Sequence, residues 1–270
     1  MHLKAVLCTL ATAATFAAAH AQSSTDVPDV IRAMTQTGLR LEKRFAAPGG
    51  MTGWVLVEGP GRHFIVYTPA DNSVALAGTM MDAAGQNLTR LHADEHAPKV
   101  DYDKAWAQLK NSDYVAEGAK DRDVKSVIYV FKDPNCSFCH LAYLALQPYT
   151  KVGLQIRWIP VAFLRPDSFG KAAYLLSSDN KDAALKAISD NFGKNAPQVV
   201  TAVSPQMRSR IEANNKLMNE LGFRGTPAVL YKDRNGSVQA IPGMFRLSKL
   251  PEITGLPEQK HNEPKLDGFR

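Results

Sequence analysis

Cysteine is scarce in this chain, which has three cysteines among 270 residues. Cys8 lies in an N-terminal segment that we expect to be removed, so the mature chain would keep only Cys136 and Cys139. A framework of several disulfides is therefore excluded for one chain. In an oxidising compartment, a single pair of neighbouring thiols points to disulfide exchange, and a lone structural bridge is the alternative.

Long hydrophobic runs are also missing. The most apolar stretch, Ala5 to Ala19, is short and contains several threonines, whereas a membrane-spanning helix needs about 20 apolar residues. Lys4 precedes this stretch, and Ala19-His20-Ala21 forms a small-x-small cleavage site. These features predict a cleavable secretory signal peptide over residues 1–21, with a membrane anchor as the weaker interpretation.

Runs of basic residues are missing as well, although the formal net charge is +6. Charges of both signs alternate along the chain, and no Lys/Arg run is interleaved with aromatic residues. The glycine pairs Gly49-Gly50 and Gly59-Pro60-Gly61 lie between strand-like segments and do not open a helix, as a phosphate-binding loop would. We therefore expect no nucleic-acid partner.

The remaining two cysteines follow an apolar segment directly. Val127 to Phe131 has five apolar or aromatic residues and predicts a strand, which Asp133-Pro134-Asn135 would end. Asn135 is the predicted N-cap of a helix that begins at or near Cys136 and that Pro148 limits. Both thiols would then lie on one face of its first turn, close enough to form a disulfide.

This placement predicts different roles for the two thiols. Unpaired N–H groups and the helix dipole should depress the pKa of Cys136, which makes it the predicted nucleophile, with Cys139 as the resolving thiol. Ser137 and Phe138, between them, are expected to tune the thiolate. His140 is expected to face solvent beside the site, where its proton could also influence Cys136.

Two metal-containing alternatives use the same cysteines. The run from Cys136 to His140 matches the C-x-x-C-H signature of haem attachment, which an absorption spectrum without a Soret band would exclude. The buried-looking strand before the motif disfavours it. Zinc would need a second ligand pair from seven scattered histidines, two of them in the signal segment. We expect no metal and no other cofactor.

A proline downstream supports redox chemistry independently. Pro227 follows Thr226 and directly precedes a strand-like run, although proline is disfavoured in a central strand. A cis Thr226–Pro227 bond opening an edge strand would resolve this conflict. Together with the cysteine pair, the arrangement resembles the thioredoxin fold, in which a cis-proline loop lies against the disulfide. The resemblance gives Thr226 and Pro227 the role of pairing with a bound substrate strand.

The resemblance extends to a particular family. Nearly the whole mature chain is similar to the periplasmic thiol:disulfide interchange proteins of the DsbC/DsbG family, and the single cysteine pair fits its DsbG branch. The segments that carry the resemblance are Phe45 to Trp54, Tyr129-Val130-Phe131 before Asp133-Pro134, and Asn214 to Met218 before Leu221-Gly222. Ser137-Phe138 departs from the family, whose DsbG-type members typically have Pro-Tyr there, so the reduction potential cannot be transferred.

The resemblance implies a mixed α+β and α/β chain of two domains. Residues 22–86 would form a small, mainly antiparallel β, cystatin-like dimerisation domain, and residues 87–100 a helical linker. Residues 101–270 would form a thioredoxin-like catalytic domain with a helical insertion. From the residues themselves, we expect Asn87 to Ala97 to be a solvent-bridging helix and Pro257 to Arg270 a frayed tail.

The resemblance also implies partners and a function. The protein would be a periplasmic homodimer that isomerises or reduces disulfides of exported proteins, with a membrane thiol reductase of the DsbD type as its electron donor. It would also be suited to reducing single cysteines oxidised to sulfenic acid. The alternative is a chaperone-like dimeric binding protein for unfolded clients, whose redox activity is secondary.

Overall fold

The computed structural model describes residues 27–194 and 200–270, so the predicted signal peptide and Cys8 lie outside the described residues. Two β-sheets organise the chain. The first sheet contains β1 (Arg40–Ala47), β2 (Met51–Gly59), β3 (Arg62–Thr68) and β4 (Leu76–Ala77), in that order and antiparallel throughout. The predicted antiparallel sheet is confirmed, and its fourth strand has only two residues.

Successive side chains of a strand point to opposite faces of a sheet, and both faces of the first sheet carry apolar side chains. Helix α1 (Asp29–Thr35) covers one face, where its Ile31 joins Trp54 and Leu56. Val55 and Val57, which alternate with Trp54 and Leu56 along β2, belong to the cluster on the other face. The central strands β2 and β3 are thus buried on both sides over most of their length, while the edge strands β1 and β4 are largely exposed.

Helix α2 (Leu88–His96) covers the second face, and the expectation that it bridges through solvent is wrong. The ring of Phe45 lies 4.9 Å from that of His92 and 4.2 Å from that of His96, centroid to centroid. The Nδ1 atom of His92 also lies 2.9 Å from the hydroxyl of Tyr67. The sequence pattern treats histidine as polar, whereas here two imidazoles pack as aromatic rings.

The second sheet contains β5 (Val115–Gly118), β6 (Ser126–Lys132), β7 (Leu154–Pro160), β8 (Ala228–Lys232) and β9 (Val238–Pro242), in the order β5-β7-β6-β8-β9. Strand β6 runs parallel to β7 and antiparallel to β8. The predicted edge strand after Pro227 is therefore wrong, because β8 lies between β6 and β9. Pro227 precedes the first paired residue, Ala228, so its missing N–H removes no bond from the ladder.

Helices cover both faces of the second sheet, and they are α3 (Tyr102–Leu109), α4 (Ser137–Thr150), α5 (Ser168–Ser177), α6 (Lys181–Asp190), α7 (Pro205–Glu220) and α8 (Leu250–Thr254). Ser204 caps α7 by accepting a hydrogen bond from Met207 N, and Pro205 opens this helix. Helices α5 to α7 form the insertion between β7 and β8. Within residues 27–194 and 200–270, no helix has the length and hydropathy needed to cross a membrane.

The C-terminal tail is packed, which corrects the prediction of a frayed segment. Residues Pro264–Phe269 form a 3-10 helix, and the side chain of Leu266 is fully buried in the main core. Nε2 of His261 donates to the carbonyl of Ala145 on α4 at 2.8 Å. Composition alone suggested a polar tail, but one leucine and one histidine fix it against the helix that carries the cysteines.

Candidate active site

Cys136 itself caps helix α4, so the prediction that Asn135 is the N-cap is wrong. The backbone of Cys136 is extended, and its Sγ accepts a hydrogen bond from Cys139 N at 3.1 Å. The sulfur thus takes the place of the usual side-chain oxygen at a helix start. The amide of Asn135 instead donates to Asp167 and Ser168, across the site.

The two thiols differ in accessibility. Cys136 is 5% exposed and Cys139 is fully buried, and neither takes part in a disulfide. Helix α4 continues two residues beyond Pro148, to Thr150, so this proline does not stop it. A partner can approach the outer sulfur, while the inner one is sheltered beneath the first turn.

The Thr226–Pro227 peptide bond is cis, which confirms the prediction. The thiol of Cys136 donates to the carbonyl oxygen of Thr226 at 3.1 Å, so the loop lies directly against the outer sulfur. Thr226 N donates no hydrogen bond to any other backbone group in the described parts of the chain. The hydroxyl of Thr226 is buried and makes no hydrogen bond of ordinary geometry there.

The surroundings separate the pKa values of the two thiols. The pKa of Cys136 is lowered to about 6, chiefly by hydrogen bonding from the Cys139 thiol, with smaller contributions from Thr226 and the Cys139 N–H. Burial and the carboxylate of Asp133 oppose this lowering. Burial and the interaction with Cys136 raise the pKa of Cys139 well above its usual value. At neutral pH the outer sulfur is a thiolate and the inner one a thiol.

The pKa difference predicts how alkylation depends on pH. The rate of Cys136 modification by iodoacetamide should rise with a midpoint near pH 6, because only the thiolate reacts. Cys139→Ala should move this midpoint upward, because it removes the largest stabilising hydrogen bond. Stopped alkylation followed by mass spectrometry measures both midpoints. A midpoint near the ordinary thiol value of about 8.5 in the unmodified chain would contradict the assignment.

Asp133 is a buried carboxylate that sequence analysis treated only as a turn residue. Its Oδ1 accepts from Asn135 N and from the Ser168 hydroxyl, both at 2.9 Å. Its Oδ2 accepts from Phe163 N at 2.9 Å and from Leu164 N at 3.0 Å. This carboxylate therefore joins the turn before Cys136 to the loop after β7.

Lys132 is a second buried charge that sequence analysis missed. It is 2% exposed, and its Nζ lies 5.0 Å from the ring centroids of both Tyr143 and Trp158. Burial lowers the pKa of Lys132, while its charge lowers the pKa of Cys139. Lys132 follows the core residue Val130 by two positions in β6, so both side chains point to the same face of the sheet. This spacing was the signal in the sequence that Lys132 would be buried.

Glu117 lies on the same side of the sheet as Lys132. Burial raises the pKa of Glu117, although it accepts hydrogen bonds from Trp158 Nε1 at 2.8 Å and from Gln147 Nε2 at 3.1 Å. The charge of Lys132, in contrast, lowers the pKa of this carboxyl. Trp158 thus contacts both buried ionisable side chains, one through its ring face and one through its N–H.

The three predicted tuning residues have different environments. Ser137 and Phe138 are exposed at the start of α4. The expectation that His140 faces solvent is wrong, because its ring is buried and stacks on Phe192 at 4.7 Å. Its Nδ1 lies 3.1 Å from the hydroxyl of Ser189, and burial lowers its pKa. These contacts join α4 to the helical insertion.

Metal-ion ligation requires several donor side chains at one place. Within the described ranges 27–194 and 200–270, no group of three or more His, Cys, Asp or Glu side chains could hold a metal ion. The polar contacts of the Cys136 sulfur are with the carbonyl of Thr226 on one side and with the N–H of Cys139, in the first turn of α4, on the other.

The chain is similar to several known proteins. The family model described as a thioredoxin-like domain matches residues 114–253, just over half of the chain. DsbG of Pseudomonas aeruginosa is 29% identical over 238 residues, covering 87% of this chain and 91% of its own, and DsbG of Escherichia coli is 29% identical over 238 residues, covering 87% and 89%. A solved structure of Helicobacter pylori DsbG is 14% identical, covers 75% of this chain and 98% of its own, and has a TM-score of 0.39. The chain belongs to the thioredoxin-like family, and over most of its length it is similar to the thiol:disulfide interchange proteins of the DsbC/DsbG type.

Proposed function

We propose that the chain isomerises and reduces disulfides of exported proteins, with Cys136 as the nucleophile and Cys139 as the resolving thiol. The observation that carries this proposal is the outer sulfur itself. It caps a helix, accepts a hydrogen bond from Cys139 N at 3.1 Å and has a pKa of about 6. At pH 7 about nine-tenths of such a thiol is ionised, whereas an ordinary thiol is mostly protonated.

In the first step, the thiolate of Cys136 attacks one sulfur of a client disulfide. A bond forms between Cys136 and that sulfur, the client S–S bond breaks, and the other client sulfur leaves as a thiolate. Ionisation of Cys136 removes the proton that it donates to Thr226 O, which frees this carbonyl. The N–H and carbonyl of Thr226 can then pair with the client backbone as a strand partner would.

The mixed disulfide can be resolved in two ways. If a client thiolate attacks the client sulfur of the mixed disulfide, Cys136 leaves as a thiolate and the client disulfide has been moved, which is isomerisation. If Cys139 attacks Cys136 after losing its proton, the client leaves reduced and the enzyme keeps the Cys136–Cys139 disulfide. The charge of Lys132 favours the Cys139 thiolate that this second route needs.

The cellular setting forms part of the proposal. The signal-peptide pattern of residues 1–21 supports export to the periplasm, and the second route requires a dithiol donor, for which a membrane reductase of the DsbD type is suited. Residues 22–86 would make a homodimer, because exposed Phe64, Leu76 and Met81 lie in this small domain. Light scattering that gives a monomer mass would contradict the dimer.

A trapping experiment tests the proposed function. Cys139→Ala produced in a Gram-negative periplasm should accumulate mixed disulfides with client proteins, because the resolving thiol is missing. Non-reducing gels and mass spectrometry of the purified variant identify them. The matched control, Cys136→Ala/Cys139→Ala, should capture none.

The cysteine content of the captured proteins distinguishes disulfide exchange from reduction of sulfenic acids. Clients with several cysteines support isomerisation or reduction of disulfides, and clients with one cysteine support reduction of sulfenic acids. An empty trap, together with suppression of aggregation by the double-alanine variant, would contradict the proposed function and favour the chaperone-like alternative.

A further inference from the structure

A cavity of about 490 Å³ lies at the end of the second sheet that is remote from the thiols. Ser126, the first residue of β6, and Lys232, the last residue of the antiparallel β8, both line it. Cys136 instead follows the other end of β6, so the length of this strand, about 20 Å, separates the two places. Disulfide exchange at Cys136 therefore does not account for this cavity.

The charged side chains that line this cavity are all cations. They are Lys110, Lys125, Arg157 and Lys232, and no carboxylate of the described residues lines it with them. None of these four cations forms an ion pair with a residue in the ranges 27–194 and 200–270. Like charges gathered at one place repel one another and attract an anion. Exposed lysines alone would be ordinary surface charges, so the other hydrogen-bond donors of the cavity decide its interpretation.

Arg157 is the cation that its neighbours fix in place. Its guanidinium lies 5.0 Å from the ring centroid of Tyr114 and 5.3 Å from that of Tyr129. Its Nε donates to Gln155 at 3.0 Å, and its Nη1 donates to the hydroxyl of Tyr129. Its Nη2 makes no hydrogen bond in the described parts of the chain and is not sealed from solvent. One edge of an already oriented guanidinium is thus available, so little conformational entropy would be lost on binding.

The indole N–H of Trp106 is a second donor without an acceptor. Its side chain lines the cavity and is only 9% exposed. Its Nε1 makes no hydrogen bond with any described residue, yet it is not among the polar atoms that are sealed from solvent. The other two tryptophans have acceptors, since Trp54 donates to Thr68 and Trp158 to Glu117. Because a buried tryptophan N–H usually has a partner, the N–H of Trp106 points to an acceptor from outside the chain.

We propose that this cavity binds a terminal phosphate group, to which Arg157 and Trp106 donate directed hydrogen bonds and the lysines contribute charge. A terminal phosphate offers two oxygens to the guanidinium and keeps a third for the indole N–H, which a carboxylate with two oxygens cannot do. Free phosphate compounds and the headgroup of an anionic lipid share this chemistry. The inference does not depend on the proposed function, because the cavity and the thiols lie at opposite ends of β6.

The test follows the indole N–H signals of the full chain by proton–nitrogen NMR while pyrophosphate is added at constant ionic strength. Trp106→Phe identifies the signal of Trp106 by its disappearance. This signal should shift until it saturates. The signals of Trp54 and Trp158 should stay unchanged, because their N–H groups already have acceptors within the protein. Acetate at the same ionic strength should give no saturating shift.

Two lysine variants separate this site from general attraction to a basic protein. Lys232→Gln removes one exposed charge, whose Nζ lies 5.5 Å from the ring centroid of Trp106. It should weaken pyrophosphate binding about threefold to tenfold, as calorimetry measures. Lys43→Gln removes an exposed charge from β1 in the other sheet and should leave the affinity unchanged. Both variants should exchange disulfides at the rate of the unmodified chain.

Vesicles distinguish the two sources of phosphate. If the chain sediments with vesicles of equal parts phosphatidylcholine and phosphatidic acid, and pyrophosphate or Lys232→Gln releases it, the ligand is a lipid headgroup. If pyrophosphate binds and the chain does not sediment, the ligand is a free phosphate compound. Both results support the site. A Trp106 signal that neither pyrophosphate nor these vesicles shift would overturn it, as would a pyrophosphate affinity that Lys232→Gln leaves unchanged.

Discussion

Cys136→Ser should reduce disulfide exchange by roughly a thousandfold or more, to the rate without protein, because a serine hydroxyl is not ionised at neutral pH and cannot form the mixed disulfide. The structure gives no substitute for this atom, since Cys139 is fully buried beneath it. Reduction of a fluorescent peptide disulfide, followed at pH 7 with an excess of dithiol donor, measures the loss.

Cys139→Ala is the matched comparison, because it removes the other sulfur of the pair. Without the dithiol donor, this variant should still consume one equivalent of peptide disulfide and then stop as the mixed disulfide, since the first step needs only Cys136. Its first step should also be slower than in the unmodified chain at pH 6, because loss of the Cys139 hydrogen bond raises the pKa of Cys136. A Cys136→Ser variant that kept more than a few per cent of the turnover would assign the nucleophile to another group.

The parts of this site that could be predicted are those that depend on short stretches of sequence. An apolar strand, a turn and two cysteines three residues apart place both sulfurs at a helix start whatever surrounds them. The position of Pro227 before β8 could also be predicted from local sequence, since its missing N–H restricts where it can lie in a sheet. The order of strands was not local information, so the edge position predicted for β8 was wrong.

The parts that could not be predicted depend on partners far along the chain. His140 was expected in solvent because its neighbours in α4 gave no reason for burial, but Phe192 and Ser189 of the insertion enclose its ring. The tail was expected to fray because most of its residues are polar, yet one buried leucine fixes it. When one or two residues determine a contact, the average composition of the segment does not reveal that contact.

Asp133 is the most consequential of these long-range contacts. Its carboxylate accepts four hydrogen bonds: one from Asn135 N, two from the backbone of the loop that carries Phe163 and Leu164, and one from the hydroxyl of Ser168 at the start of α5. The sequence could not show the last three of these hydrogen bonds, because their donors lie 30 to 35 residues away. Asp133 thus holds the turn before the nucleophile and the loop after β7 together.

Asp133→Ala should destabilise the reduced protein by about 3–5 kcal/mol, because it leaves buried N–H and hydroxyl donors without an acceptor. Urea unfolding at pH 7 measures this loss. Asp167→Ala is the matched control: Asp167 also accepts from Asn135 but is partly exposed, so its removal should cost less than about 1 kcal/mol.

Asp133→Asn separates the charge of this side chain from its hydrogen bonds. Asparagine has one acceptor oxygen, so the variant should lose part of the stability and still fold. Because the carboxylate raises the pKa of Cys136, its removal should lower that pKa below about 6, which the alkylation midpoint reports. The sign is informative, since a general loosening of the turn would expose Cys136 and weaken its hydrogen bonds, moving the midpoint up toward that of an ordinary thiol. A downward shift with partial loss of stability therefore identifies Asp133 as a charge that opposes the thiolate while its hydrogen bonds hold the site together.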